Sequence, residues 1–397
     1  MKNYEALATE LGHEIAKREA GAFEVNAALA AHPEIHGEEL QSMTAHVNFL
    51  KTNGIQAETD FCGIPHAYFA HVLGQADAKH RVAILAEYDA LPEIGHGCGH
   101  CASGSISLLA AAALKGMENE LGDIAVDIIG TPDEEYTGQK TAMVEHGVFD
   151  KYDFAVMIHM ESGVSYSNYK FMALEALRVR FKGQSAHAAA SPWHGRNALD
   201  AATLCMAACG LARQQLSRDA VTSYYLVKGG NASNSIPDFT ELEFCLRAAK
   251  VPGLKLVKEA VLRAVKGAAI ATNTTFEYNS IGYPFSDLVQ VETATRLIED
   301  AMTEANVPHQ RFPVQSASSD IGAVSYRCPA FQPALAVSDH CFALHTQEMA
   351  DCMVKPEING TIRTGAEIIA RTILKLAVDP SRFDAIRSEW KAALQEA

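Results

Sequence analysis

The sequence predicts an α/β protein: an open sheet with helices on both faces, interrupted by an inserted ferredoxin-like α+β domain. Three observations carry this reading. In the first and last parts of the chain, short apolar runs of the kind buried on both faces alternate with helical patterns. Between 172 and 284 the pattern changes to alternating strands and amphipathic helices. A chain of 397 residues also exceeds what one compact core usually supports.

The elements follow in order. Arg81–Glu87 ("RVAILAE") reads as the first buried strand, followed by a helix over Ser103–Lys115. Ile124–Ile129 ("IAVDII") and Phe154–Ile158 ("FAVMI") read as further strands of one parallel sheet, with Pro333–Val337 ("PALAV") as the last. The middle segment holds a strand ("LEALRVRFKG"), a helix ("NALDAATLCMAACGLARQQL"), two strands ("VTSYYLVKGG", "TELEFCLRAA"), a helix ("GLKLVKEAVLRAVKGAAIAT") and a strand ("TTFEYNSIG"). That order, β-α-β-β-α-β, is the ferredoxin-like arrangement. The expected domains are therefore 1–171 with 285–397, and an insert at 172–284. Neither an internal repeat nor a low-complexity segment interrupts them.

Composition narrows the function classes. The formal charge of −15 opposes a nucleic-acid surface or a polybasic membrane patch, because both need clustered cations to meet phosphates. A small-molecule substrate is the better expectation. "MKNYEALATELGHEIAKREAGAF" lacks the continuous apolar stretch of a secretory signal, and runs such as "LLAAAAL" fall well short of the roughly 18–20 residues that span a bilayer. The nine cysteines form no disulfide framework, so a cytoplasmic setting is expected.

Ligands of open α/β sheets bind beyond the carboxyl ends of the strands. The first strand is followed by "EYDALP" and "GHGCGH", the second by "TPDEEYTG", the third by His159, and the last by "HCFALHTQEM". Cys98, His100, Glu134, Glu135, His159 and His345 thus converge on one sheet edge. Thiolate, imidazole and carboxylate are the ligand types zinc prefers. A competing reading takes "CGHC" as a thiol–disulfide exchange motif at a helix start, but no compact thioredoxin-type domain is patterned around it. The same helix start is expected to help hold Cys98 as a thiolate.

Several stretches carry a family resemblance: "HPEIHGEE", "YDALPEIGHGCGH", "GTPDEE", "HGVFDKYDFAVMIHM", "GQSAHAAASPWHGRNALDA", "NSIPD", "SSDIGAVSYRCPAF" and "HTQEM". Over nearly its whole length the chain resembles the aminoacylase and carboxypeptidase family of dinuclear zinc metallopeptidases, in the branch of amidohydrolases with a cysteine ligand. The resemblance implies two divalent metal ions held by Cys98, His100, Glu135, His159 and His345, with Glu134 as general base. Zinc is favoured by the thiolate, with manganese, cobalt or nickel as alternatives. It further implies that His187 reaches the developing oxyanion, that Asn234 and Arg247 bind a substrate carboxylate, and that 172–284 is a lid through which the chain forms a homodimer. Ser318, Ser319 and Asp320 are expected to line or buttress the substrate pocket. The implied activity is hydrolysis of an N-acyl or N-aroyl amino acid or a small dipeptide. Hydrolytic deamination of an aromatic amine, and a non-catalytic metal or small-ligand binding protein, are the alternatives.

The sequence departs from that pattern in places. Cys101 stands where the branch commonly has an acid or amide, removing one group that could orient a liganding imidazole. "EYD" replaces D-x-D, leaving Glu87 and Asp89 as groups behind the ligands, with Asp89 the better placed to orient one. Cys98 and Cys101 also have the spacing of an oxidisable pair, which would expel the metal on joining.

Overall fold

The computed structural model describes residues 3–121 and 124–395, and the chain divides into two compact units. One runs through Lys170 and resumes over Leu288–Gln315 and from Ser319 onward; the other comprises Phe171–Asp287 with Ser316–Ser318.

The first unit is built on a six-stranded sheet in the order Ala57–Thr59, Tyr68–Leu73, Ile124–Gly130, His80–Ala86, Phe154–Val156, Ala330–Phe331. The last four are mutually parallel, while Tyr68–Leu73 and Ala57–Thr59 form an antiparallel margin. Every residue of Ile124–Gly130 is buried, and in His80–Ala86 only Arg81 is not. Strands covered on both faces have no polar side to display, which is why the sequence shows them as largely apolar runs; the buried exception, Asp127, is paired with Arg81.

The helix after the first strand starts at His100 rather than at Ser103, and its residues from His100 to Leu114 are all buried. It lies between the sheet and the helices Tyr4–Ala31 and Ile358–Val378. Small side chains at Ala110–Ala113 permit that double packing. At Gly104 a Cβ would stand 2.4 Å from the carbonyl oxygen of Glu87, so only glycine lets the first turns run against the strand end.

The expected last strand does not belong to this sheet. Ala334–Ala336 pairs instead in a separate four-stranded sheet, ordered His309–Gln310, Ser165–Tyr166, Ala334–Ala336, His159–Glu161. The two neighbouring parallel segments 154–161 and 330–336 leave the large sheet together and enter the small one together. Pro333 sits at the transition, where its missing N–H breaks the ladder and its carbonyl accepts the N–H of His159 at 2.9 Å. His159 therefore opens a strand of the small sheet and does not end the expected strand Phe154–Ile158.

In the second unit the strands stand in the order Thr275–Phe285, Ala173–Lys182, Phe239–Ala248, Val221–Lys228, all antiparallel. This is the ferredoxin-like order that the sequence predicts. Burial alternates residue by residue along the two central strands. Their inward residues, among them Leu177, Val179, Phe181, Leu242, Phe244 and Leu246, form one core with the helices Ala198–Ala212 and Val251–Ala271. Asn197 starts the first helix by accepting the N–H of Leu199 at 2.9 Å. The opposite sheet face carries Arg178 and Arg180 paired with Glu241 and Glu243. Among the described residues no helix is long and apolar enough to cross a membrane.

Candidate active site and metal centre

The turn that follows Ile124–Gly130 presents two adjacent glutamates. Asp133 takes a left-handed backbone (φ 54), unusual for a residue with a side chain, and is fixed from three sides. Its N–H donates to Oε1 of buried Glu39 at 2.9 Å, its carbonyl accepts from Gly138, and its carboxylate accepts from the N–H and hydroxyl of Thr137. Glu134 and Glu135 project from this locked turn. On the neighbouring loop, Gly99 is left-handed at φ 77 and immediately precedes His100, separating it from Cys98. His345 is also left-handed (φ 62), and its N–H donates to the Gly97 carbonyl at 2.9 Å.

These segments bring together ligand-type atoms in overlapping sets, each within 4.8 Å: Cys98, His100 and His159; Cys98, Glu135 and His345; His100, Glu134 and Glu135. Cys98 is common to the first two sets and Glu135 links the others. All six sequence-proposed residues of the cluster are thus gathered in the first unit. Both buried imidazoles have their Nδ1 engaged: His100 donates to Asp89 Oδ1 at 2.8 Å, and His159 donates to the Met160 carbonyl at 2.7 Å. Each ring therefore turns its Nε2 toward the cluster. His100 Nε2 and Glu135 Oε1 are buried without a hydrogen-bond partner. Buried polar atoms rarely remain unpaired, so this donor set fits a divalent ion.

The electrostatics point the same way. Burial pushes the Cys98 thiol well above its usual range, and Glu135 pushes it further. Whatever help the helix start gives, burial and the neighbouring carboxylates favour the neutral thiol, and a cation at the cluster would favour the thiolate. Burial alone would strip His100 of its proton, but Asp89 and Glu87 outweigh it and hold the imidazole well above its ordinary range. Burial and the His100 charge lower His159 to about 4. Burial, then repulsion from Glu87, Glu135 and Asp320, raises the Glu134 carboxyl well above the usual carboxylate range.

Asp89 bridges two members of the cluster, because its second oxygen accepts the N–H of Glu135 at 3.0 Å. Glu87 Oε2 lies 3.4 Å from His100 Nε2, while Oε1 accepts from Lys140 at 2.5 Å. Cys101 and Cys98 are both free thiols in different settings: Cys101 packs into the apolar core, whereas Cys98 belongs to the ligand sets. Ser319 and Asp320, expected to line or buttress the substrate pocket, are both engaged by side chains of the protein itself. Ser319 is buried with its hydroxyl 3.4 Å from Gln332 Oε1, and Asp320 is committed to Lys140 through both oxygens.

In the second unit, His187 is exposed on a loop, and its Nδ1 accepts the N–H groups of Ala189 and Ala190 at 3.2 and 3.1 Å. That fixes the proton on Nε2, which makes the ring an outward donor. Asn234 lies on the adjoining loop, its carbonyl accepting from the N–H of Ala188 at 2.9 Å. Arg247 is half-buried on Phe239–Ala248 and donates to the Ser318 hydroxyl at 3.0 Å.

Sequence reasoning misses Lys140 and Glu39. Lys140 reads in sequence as an ordinary helix-start lysine, and nothing local marks it as buried. Glu39 lies within "HPEIHGEE", so its segment stands out but its reach to the Asp133 N–H does not.

A family model described as "Peptidase family M20/M25/M40" matches residues 83–375. The chain is 29% identical over 328 residues to the Xaa-Arg dipeptidase of Mus musculus, covering 80% of this chain and 74% of that one. It is 32% identical over 293 residues to one of the subunits of the p-aminobenzoyl-glutamate hydrolase of Escherichia coli, covering 69% of this chain and 59% of that one. In fold it is similar to a Bacillus subtilis protein described as a dinuclear metal binding peptidase, with a TM-score of 0.68, 17% identity, and 91% of this chain and 99% of that one covered.

Proposed function

The chain belongs to peptidase family M20/M25/M40 and is an amidohydrolase of that family; from this premise we propose that it cleaves the amide bond of an N-acyl or N-aroyl amino acid or a small dipeptide. The observation that carries the reading is the pair of ligand sets sharing Cys98, with Glu134 beside them. Cys98, His100, Glu135, His159 and His345 would hold two divalent ions, zinc first by the thiolate and imidazole donors. Such ions would supply Lewis acidity, polarising the scissile carbonyl and acidifying a water molecule.

The remaining work falls to the chain's own side chains. Glu134, with its pKa raised by burial and by like charges, is suited to take a proton from water and deliver it to the leaving amine. Its anchored turn supplies the fixed geometry such a transfer needs. His187, with its proton on Nε2, is suited to donate to a developing oxyanion. Arg247 and Asn234 are suited to take a substrate carboxylate, the guanidinium by paired hydrogen bonds. The relatives' names, a dipeptidase and an aroyl-glutamate hydrolase, both describe amides with a free carboxylate on the amine side. A homodimer formed through 172–284 and a cytoplasmic setting, in keeping with free thiols throughout the described residues, belong to the same proposal.

Elemental analysis of chelator-free protein, with hydrolysis assayed on acyl, aroyl and β-alanyl amino acids, tests it. About two ions per chain and activity lost on chelation are expected. Glu134→Gln should lower kcat by about 10²–10⁴-fold with the ions retained; a variant as active as the parent would leave a binding protein on this scaffold.

A further inference from the structure

One acidic set in the site contains none of the five proposed metal ligands. Glu87, Glu134 and Asp320 each place a carboxylate oxygen within 4.8 Å of the others, and Glu87 and Asp320 are completely buried. An all-oxygen cage of this kind is the donor set of a hard divalent cation such as Mg²⁺, Ca²⁺ or Mn²⁺. Glu87 Oε2 is buried with no hydrogen-bond partner. The cage already holds a cation of another kind. The Lys140 ammonium, itself fully buried, lies 2.5 Å from Glu87 Oε1 and 2.7 Å from Asp320 Oδ1. Its position is pinned because its backbone N–H donates to Asp320 Oδ2 at 2.9 Å.

Glu134 belongs both to this cage and to the set with His100 and Glu135. A carboxylate that ligates a metal has committed the lone pair with which it would accept a proton. We propose that Lys140 is a positioning residue: its ammonium fills a third cation place between Glu87 and Asp320, and so keeps a further divalent ion from capturing Glu134. The inference rests on Glu134 being the base. A lysine suits the task because it delivers one charge that is covalently tethered and held at both ends by Asp320, and its hydrogens satisfy the two carboxylates without coordinating the third. Remove the charge, and three buried carboxylates remain that must either protonate or collect a cation.

The test counts ions. Wild-type protein and Lys140→Met are stripped, then titrated with Mn²⁺ and analysed after gel filtration. Wild type is expected to saturate at two ions per chain and the variant at three. Millimolar Mn²⁺ should suppress hydrolysis by the variant roughly 10²-fold, at concentrations that leave wild type active. Adding Asp320→Asn to the variant should return the count to two. A merely structural ion pair would lower the melting temperature without changing the count, and that result, two ions in Lys140→Met with no Mn²⁺ inhibition, overturns the inference while the proposed function stands. Wild type holding no ions would instead remove the proposed function itself. Should Lys140→Met not fold, Lys140→Gln, whose amide can still donate to Asp320, takes its place. Wild-type stoichiometry decides independently of either variant: a third Mn²⁺ bound beside the ammonium refutes the exclusion.

Discussion

Asp89→Asn isolates the group behind the cluster. In the parent, one carboxylate oxygen accepts from His100 Nδ1 at 2.8 Å and the other from the Glu135 N–H at 3.0 Å, so Asp89 holds one proposed ligand by its ring and another by its backbone. Burial opposes its ionisation, but His100, their hydrogen bond and the Glu135 N–H hold the carboxyl below its usual range. An amide of the same shape can accept only one of these donors, and its NH₂ must then face the other N–H with no acceptor between them. A buried donor left unpaired costs about 1–3 kcal/mol, and loss of a carboxylate behind a metal-ligating imidazole typically costs 10–100-fold in affinity, the same range of energy. We expect metal affinity, measured by competition with a chromogenic chelator, to fall about 10–100-fold, while activity at saturating metal falls less. An affinity within about twofold of the parent would mean that His100 is oriented without Asp89 and would refute the assignment.

Glu39→Ala should leave the Asp133 N–H unpaired and let the glutamate turn relax, lowering kcat with the metal count unchanged, whereas Glu39→Gln, which keeps an acceptor, should stay near the parent; equal losses in both would show that the charge matters and not the anchor. Burial, then the nearby His96, lowers the pKa of His46 to about 3, against an ordinary value of 6.5. Its contribution to stability is full above pH 6.5 and is lost as pH falls toward 3, so urea unfolding of His46→Phe between pH 6.5 and 4.5 should show about 2–3 kcal/mol less acid destabilisation than the parent, and parallel pH curves would sink the idea. Gly99→Ala places a Cβ 2.6 Å from Met160 Cγ at a left-handed residue. Thermal melts should show a loss of at least about 1–2 kcal/mol from the backbone conformation alone, and an unchanged midpoint would show that the loop can rearrange.

Much of the fold is legible in the sequence, and the reason is physical. Doubly covered strands are apolar apart from paired exceptions such as Asp127, so Ile124–Gly130 announces itself, and alternating burial in Ala173–Lys182 and Phe239–Ala248 writes the ferredoxin-like order into the sequence. What fails is the reading of strands at a sheet-to-sheet transition. "FAVMIHM" and "FQPALAV" are each one apolar stretch, but each is divided between two sheets, and only Pro333 hints at the break. The ligand types are legible because thiolate, imidazole and paired carboxylates are rare together at strand ends. Lys140 is not, because its burial depends on Glu87 and Asp320, which lie 53 and 180 residues away along the chain. No local pattern encodes a tertiary ion pair.

The charge balance of the site links these observations. Glu135, Glu134 and Asp89 act on Cys98, Glu87 and Asp320 form a second acidic set with Glu134, and the one fixed cation among the residues shown to bond these carboxylates is Lys140. In the absence of further cations the pocket is driven toward protonation: the Cys98 thiol and the Glu134 carboxyl are raised well above their usual ranges, His100 is held well above its own, and Asp320, which Lys140 pulls down, is still raised to about 6 by burial. Two divalent ions would replace that borrowed protonation with fixed charge, freeing the thiolate and the His100 lone pair together. Metal uptake should therefore release protons, and the number released per ion, read by a pH indicator in weak buffer, should exceed one. Release of no protons would mean that the ligands are already ionised, and that the pocket's acidity is balanced by something other than the metal.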